Sequence, residues 1–289
     1  MPCRPRTRPA RPCTRRPLCR PVLWLGSLCG LLGACEQSAG TGGEAASLPL
    51  YAAGVAEAGL PLGHSDSTLG APWRIELSEA RVLLGPVYVY APPTLAARLQ
   101  RQVGALLHSV AHAHAGDDNL QSARVMAEML QQQAVDALNP ASQALGFIDG
   151  EAGPVQSLSL VLDEARGPLA VPTGPTAGHH AWVRGIARKA GRELRFEAGL
   201  DMPDTPLSRR IDELPLGGSG QLQSGHHLKL SLYPGRWLQQ VDFDRLAAEP
   251  AASDGVHRPA PGSQFHTAFY LGLRNTAAFS ARSTLDSGE

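Results

Sequence analysis

Residues 73–90 read WRIELSEARVLLGPVYVY, and their patterning decides the fold class. Trp73, Ile75 and Leu77 alternate with Arg74, Glu76 and Ser78, which gives a pleated strand one dry face and one wet face. From Arg81 the run Val82-Leu83-Leu84-Gly85-Pro86-Val87-Tyr88-Val89-Tyr90 is rich in the β-branched and aromatic residues that suit a half-buried sheet. Gly85-Pro86 marks a bulge or an edge, because proline cannot donate to a ladder.

Strands recur on the C-terminal side of this stretch. Val155, Ser157, Ser159 and Val161 alternate with Gln156, Leu158, Leu160 and Leu162. Trp182, Arg184 and Ile186 alternate with Val183, Gly185 and Ala187, and a turn at Gly191-Arg192 makes residues 180–198 a hairpin. Leu228, Leu230 and Leu232 oppose Lys229, Ser231 and Tyr233, after which Pro234-Gly235 turns the chain. Residues 247–264 read as a Pro/Ala/Gly linker, and residues 265–289 as a last strand and a tail. Between residues 93 and 133 the period changes. Pro92-Pro93 open a helix in which Leu95, Leu99, Val103, Leu106 and Val110 recur at three- and four-residue steps. A second helical stretch runs from Leu120 to Gln133, with Met126, Met129 and Leu130 inward. Short strands between Gly/Pro turns predict a mainly β protein, a β-sandwich over residues 49–246 with a helical insertion around residues 93–133.

The N-terminal end carries a different signal. Seven arginines (Arg4, Arg6, Arg8, Arg11, Arg15, Arg16, Arg20) precede the first acidic residue, Glu36. They are followed by an apolar run over residues 22–32, short of the roughly 20 residues a bilayer-spanning helix needs. The run closes on Leu32-Gly33-Ala34-Cys35, which resembles the lipobox of bacterial lipoproteins. That resemblance implies that residues 1–34 are a signal peptide and that Cys35 is the lipidated first residue of the mature chain. Its acyl chains would then hold the protein to a lipid membrane. Glu36 in place of aspartate after the cysteine favours the outer membrane of the cell envelope, with the face open. Thr14-Arg15-Arg16-Pro17-Leu18 is similar to a twin-arginine motif, so export by the general or the twin-arginine route stays open. Residues 35–48 are small and polar, a flexible tether.

Processing at that point changes chemistry and charge together. All five cysteines (Cys3, Cys13, Cys19, Cys29, Cys35) lie at or before it, so the mature chain has no thiol for a disulfide and must rest on a core. About 255 residues remain, enough for one large domain. The full chain balances 26 bases against 26 acids, and loss of the seven arginines leaves 19 against 26. A mildly acidic body of this kind argues against nucleic acid as a partner.

Enzyme signatures are missing. There is no phosphate-binding glycine loop, no His-Glu-x-x-His and no dinucleotide fingerprint. Gly63-His64-Ser65-Asp66-Ser67 lacks the second glycine and the strand–turn–helix setting of a nucleophile elbow. A metal-dependent enzyme would need an open coordination site and a base such as Glu128 or Asp118, and no spacing singles out a reaction.

Histidine remains. All ten lie beyond the cleavage point, mostly clustered: His108, His112 and His114, then the pairs His179-His180 and His226-His227, with His64, His257 and His266 single. Imidazole is a common ligand for Cu and Zn, and without thiols it is the natural donor. If His112-Ala113-His114 is extended, both rings point to one side and can share an ion. If residue 112 still belongs to the helix, His108 and His112 form an i,i+4 pair instead. Asp117 and Asp118 can add an oxygen or hold a ring nitrogen, and His64 with Asp66 is a second loop of the same kind. The tandem pairs His179-His180 and His226-His227 are secondary candidates, because adjacent strand residues face opposite ways.

The stretch Ile75-Glu76-Leu77-Ser78-Glu79-Ala80-Arg81-Val82-Leu83-Leu84, a His-containing middle and a closing Val241-Asp242-Phe243 resemble the β-sandwich domains of periplasmic copper-binding proteins associated with methanobactin systems. The resemblance spans residues 73–245, rests on pattern, and does not match that family's ligands residue by residue. Together these features lead to an exported, lipid-anchored, non-catalytic protein that binds Cu or Zn through His112, His114 and His64, supported by Asp66, Asp117 and His108. The alternative is a surface-displayed β-sandwich that binds an envelope protein or a glycan, its histidines incidental.

Overall fold

The alternation that opens at Trp73 becomes one path of backbone serving two sheets. The computed structural model describes residues 43–58, 60–67, 72–93, 124–164, 166–171 and 173–285. Its strands are β1 (Ala45–Gly54), β2 (His64–Asp66), β3 (Arg74–Leu84), β4 (Val87–Tyr90), β5 (Val125–Met129) and β6 (Gln133–Asp136). They continue with β7 (Gln143–Glu151), β8 (Gly153–Pro154), β9 (Ser157–Val161), β10 (Ala181–Lys189) and β11 (Arg192–Leu200). The last are β12 (Arg210–Gly218), β13 (Gln221–Leu222), β14 (His226–Leu232), β15 (Val256–His257) and β16 (Phe279–Leu285). Two α-helices lie near the C-terminal end, α1 (Phe243–Ala248) and α2 (Gln264–Arg274).

Eight strands close a barrel in the order β1-β14-β16-β12-β9-β4-β5-β7, and β7 returns to β1. A second sheet runs β15-β11-β10-β3-β2, with β6 also on β3. The chain passes from this sheet into the barrel where β3 continues through the cis Gly85-Pro86 bond into β4.

The closed barrel corrects the sandwich expectation. Alternation tells which face of a strand is dry, and it is silent on whether the first and last strands of a sheet meet. Closure here depends on β1, which pairs antiparallel with β7 and parallel with β14. Four of the 10 residues of β1 lie in the stretch expected to be tether, where Ala46 and Leu48 turn inward and are buried. Their small or isolated side chains made a strand look like a linker.

The helical insertion is corrected in part. Residues 94–123 lie outside the described residues, while 125–129 and 133–136 are strands and not the second helix. Met126 and Met129, spaced as if on a helix, are both buried from β5, where Ala127 is buried as well. The expected last strand at residues 265–279 is helix α2 over most of its length, and the strand follows it as β16. Buried Phe265, Ala268, Phe269, Gly272 and Leu273 form the three- and four-residue stripe of a helix packed on one side. Ser263 caps the helix by accepting from the His266 amide.

A set of large aromatic rings fills the space between the second sheet and the helices. Phe243 meets Phe196 at 5.3 Å, Phe265 at 6.0 Å and Trp73 at 6.3 Å between ring centroids, and Phe269 stacks on Trp237 at 6.3 Å. α2 can approach because Gly272 has no side chain: a Cβ there would lie 2.2 Å from the Trp237 carbonyl oxygen.

Candidate functional site

The hairpin read from residues 180–198 is present as β10 and β11, joined by Ala190-Gly191, both at positive φ as a tight hairpin turn requires. Its outward face carries a charge ladder. Arg184 lies between Glu79 at 2.7 Å and Glu197 at 3.1 Å, and Arg188 between Glu76 at 2.7 Å and Glu193 at 3.3 Å. Trp182 stands at the end of this ladder. Its indole N–H donates to Glu79 at 3.1 Å, and the Arg184 guanidinium lies 6.0 Å from its ring.

His179 packs on the same indole, at 6.0 Å between centroids and 15° between planes. Its Nδ1 is 2.9 Å from an Asp201 carboxylate oxygen. A glycine opposite makes this geometry possible. Gly199 pairs with Trp182 across the hairpin, and a Cβ on it would fall 2.0 Å from the His179 ring. The imidazole therefore occupies the space that any other residue at 199 would fill with its side chain.

His179, Trp182, Gly199, Asp201, Glu197, Arg258, Pro259, Pro261 and His266 line a cavity of about 220 Å³. His266 comes from α2, so two histidines 87 positions apart reach one cavity from different elements. Burial holds the His266 imidazole below its ordinary value, and His179 pushes the same way against the pull of Asp201. Glu197 is tied to Arg184 and Arg258, and Arg258 also holds Asp254, whose carboxyl is lowered to about 2 by that guanidinium.

His180 points inward from the same turn, as adjacent residues at a strand start should. It is buried, its Nδ1 accepts from the Met202 amide at 3.4 Å, and its Nε2 has no hydrogen-bond partner. Burial lowers its pKa from 6.5, Arg209 adds to that, and Asp201, Glu164 and Asp163 oppose it. Below about pH 6.5 the unfolded chain takes up a proton at residue 180 that the folded chain resists, so stability is present above that value and is lost as pH falls. His266 contributes in the same direction. Urea midpoints at about pH 7.5 and pH 5.5 check this: the acid midpoint should be lower, and His180→Gln should shrink the difference. An unchanged difference in that variant would count against His180 as a source.

The remaining candidates are spread over the molecule. His64 in β2 pairs with Glu76, lies 3.6 Å from Asp66, and is buried with an Nε2 that makes no hydrogen bond. His226 in β14 is buried at the barrel rim, its ring in contact with Ser283 at 3.2 Å, Ser219 at 3.3 Å and Gln223 at 2.9 Å. His227 contacts Thr284 at 2.7 Å and meets the Tyr51 ring edge-on. His257 sits in β15 beside Phe196. Glu128 lies exposed on the barrel wall opposite Tyr88. His108, His112, His114, Asp117 and Asp118 lie outside the described residues, as do Cys35 and the apolar run before it.

The sequence marked His179 only as half of a weaker pair and gave His266 no partner. The signal that joins them is long-range: a strand start and a helix start that meet only after the aromatic core has formed. Asp201, just past the end of β11, carried no motif at all. Among the described residues no group of three or more His, Cys, Asp or Glu is arranged to hold a metal ion.

No family model matches the sequence, and no curated protein matches it. Among solved structures, a weak similarity to MbnP from Methylosinus trichosporium is found, with a TM-score of 0.35 and 10% sequence identity. The match covers 83% of this chain and 99% of that chain.

Proposed function

We propose that the protein is an exported, lipid-anchored, non-catalytic binding protein whose pocket of His179 and His266 takes a transition metal, copper in preference to zinc. One observation carries the reading: two imidazoles from separate elements share a cavity with a carboxylate that already orients one of them. Asp201 accepts the Nδ1 proton of His179, which leaves Nε2 with its lone pair as the free donor. Structural zinc sites take four protein donors. The pocket offers two, and Cu(I), a softer ion content with fewer ligands, suits it better. Within this reading His112 and His114, with His108 and Asp117, keep the role their spacing gives them as a further donor set for the same ion class. His64 fits the role less well, since its free ring nitrogen is closed off from solvent.

Elemental analysis of protein purified without a histidine tag tests the proposal. Wild type should carry copper, and His179→Ala with His266→Ala should lose it. A second double variant, His112→Ala with His114→Ala, separates the two donor sets. Metal-free wild type after loading with Cu(I) would sink the reading.

One feature favours an alternative in which the pocket holds a peptide or a sugar ring. The Trp182 face, Pro259, Pro261 and Arg258 line the same cavity, and a flat aromatic beside a cation suits such ligands. Capture of a stoichiometric envelope partner that persists with chelator present and is lost in Trp182→Ala would support it over metal.

A further inference from the structure

The strand registers sort the barrel's two rims, and they are unlike. On one rim β1 begins at Ala45 opposite Glu151 of β7. The next strand beyond β7, β5, begins there with Val125, two residues before the Ala127–Gly150 pair. On the other side of β1 the same rim holds the start of β14 and the end of β16, paired as His226 with Leu285. Val125 and Leu285 are large aliphatic side chains left 45% and 67% exposed. The other rim is marked by Leu232 paired with Phe279, and by Arg210 paired with Val161.

The His179–His266 pocket belongs to the second rim. The His180 carbonyl accepts from the Leu83 amide, seven positions before Tyr90, which ends β4 on the first rim. Arg274 of α2 donates to the carbonyls of Leu207 and Arg210, tying the helix that carries His266 to that same end.

We infer that the rim of Ala45, Val125 and Leu285 rests on a lipid surface and that the pocket is thereby turned away from it. The inference depends on the reading of Cys35 as a lipidated residue. Ten steps of chain separate Cys35 from Ala45, which covalent geometry limits to at most about 36 Å. Two exposed aliphatic side chains flanking the point where so short a tether enters gain by leaving water for the acyl boundary. A pocket at the far end stays open to the aqueous side.

Single cysteines test this, because the mature chain has no other free thiol once Cys35 is alkylated. Val125→Cys, Leu285→Cys and Leu271→Cys place a fluorophore at either end of the body, Leu271 being exposed on α2. The lipidated full chain is then mixed with phosphatidylcholine vesicles that carry nitroxide-labelled acyl chains. More than about half of the emission at positions 125 and 285 should be lost, with little change at 271. Equal quenching at all three, or the strongest at 271, overturns the orientation. Rim probes that stay wet on vesicles and are shielded only by added envelope extract assign the rim to a protein partner and overturn it too. Flotation with the vesicles separates the two claims: if wild type floats no better than Cys35→Ser, the anchor reading falls and takes the rim with it. If wild type floats while quenching is uniform, the rim proposal alone falls.

Discussion

Replacing Phe243 with alanine is expected to lower the unfolding free energy by roughly 3–5 kcal/mol, a large share of the ~5–15 kcal/mol that holds a typical domain together. Phe243 is fully buried and touches Phe196, Phe265 and Trp73, so it links the second sheet to both helices. Helix α1 has only six residues and buries just Phe243 and Leu246, too little to hold by propensity alone. A polar tie to the sheet is the Lys189–Asp244 pair at 2.7 Å, a partly exposed contact of small worth. The void left by the ring would have rigid aromatic walls that cannot close over it, and the full cavity cost should appear. Urea unfolding monitored by tryptophan emission measures it, with Phe147→Ala as the comparison. Phe147 is 61% exposed on the barrel wall, and its loss should change little. A Phe243→Ala midpoint no lower than that of Phe147→Ala would show that the rings are not what joins the two layers.

Local pattern was readable in this chain, and closure was not. The alternation at Trp73, Ile75 and Leu77 reports the dry face of β3 correctly, since all three are buried. The β10–β11 hairpin was legible for the same reason, with its turn one residue earlier than expected. Barrel closure depends on pairings that no local window contains: β1 with β14, as Leu50 with Leu228, and β12 with β16, as Leu216 with Ala281. Residues 125–129 and 265–274 were misread in opposite senses. In the first, two methionines three apart imitated a helix within a short strand. In the second, a helix was read as a strand, although Ser263 and the spacing of Phe265, Phe269 and Leu273 carry the helical signal. The site divides along the same line. Histidine richness was plain to see, yet which rings meet depends on α2 reaching the start of β10, and only packing decides that.

Gly199→Ala should therefore separate site from fold more cleanly than any histidine substitution. A Cβ at residue 199 would fall 2.0–2.4 Å from three atoms of the His179 ring, and that ring is the far end of a side chain that can rotate away. Gly199 sits one residue before the end of β11, within a regular antiparallel register, and is not among the residues at positive φ, so the backbone accepts alanine without strain. What moves is His179, which loses the Asp201 carboxylate and the Trp182 face together. Stability should change by less than about 1 kcal/mol, and could rise slightly, because a glycine in a strand interior costs chain entropy. Copper affinity should fall by about 10–100-fold, the usual cost of misorienting a ligand by removing the group that positions it. Competition with a Cu(I) chelator gives the affinity, and a urea midpoint on the same preparation gives the stability. Unchanged affinity with unchanged stability would mean that His179 does not need its present orientation to hold the ion. The pocket would then have to be read as a surface for a larger ligand.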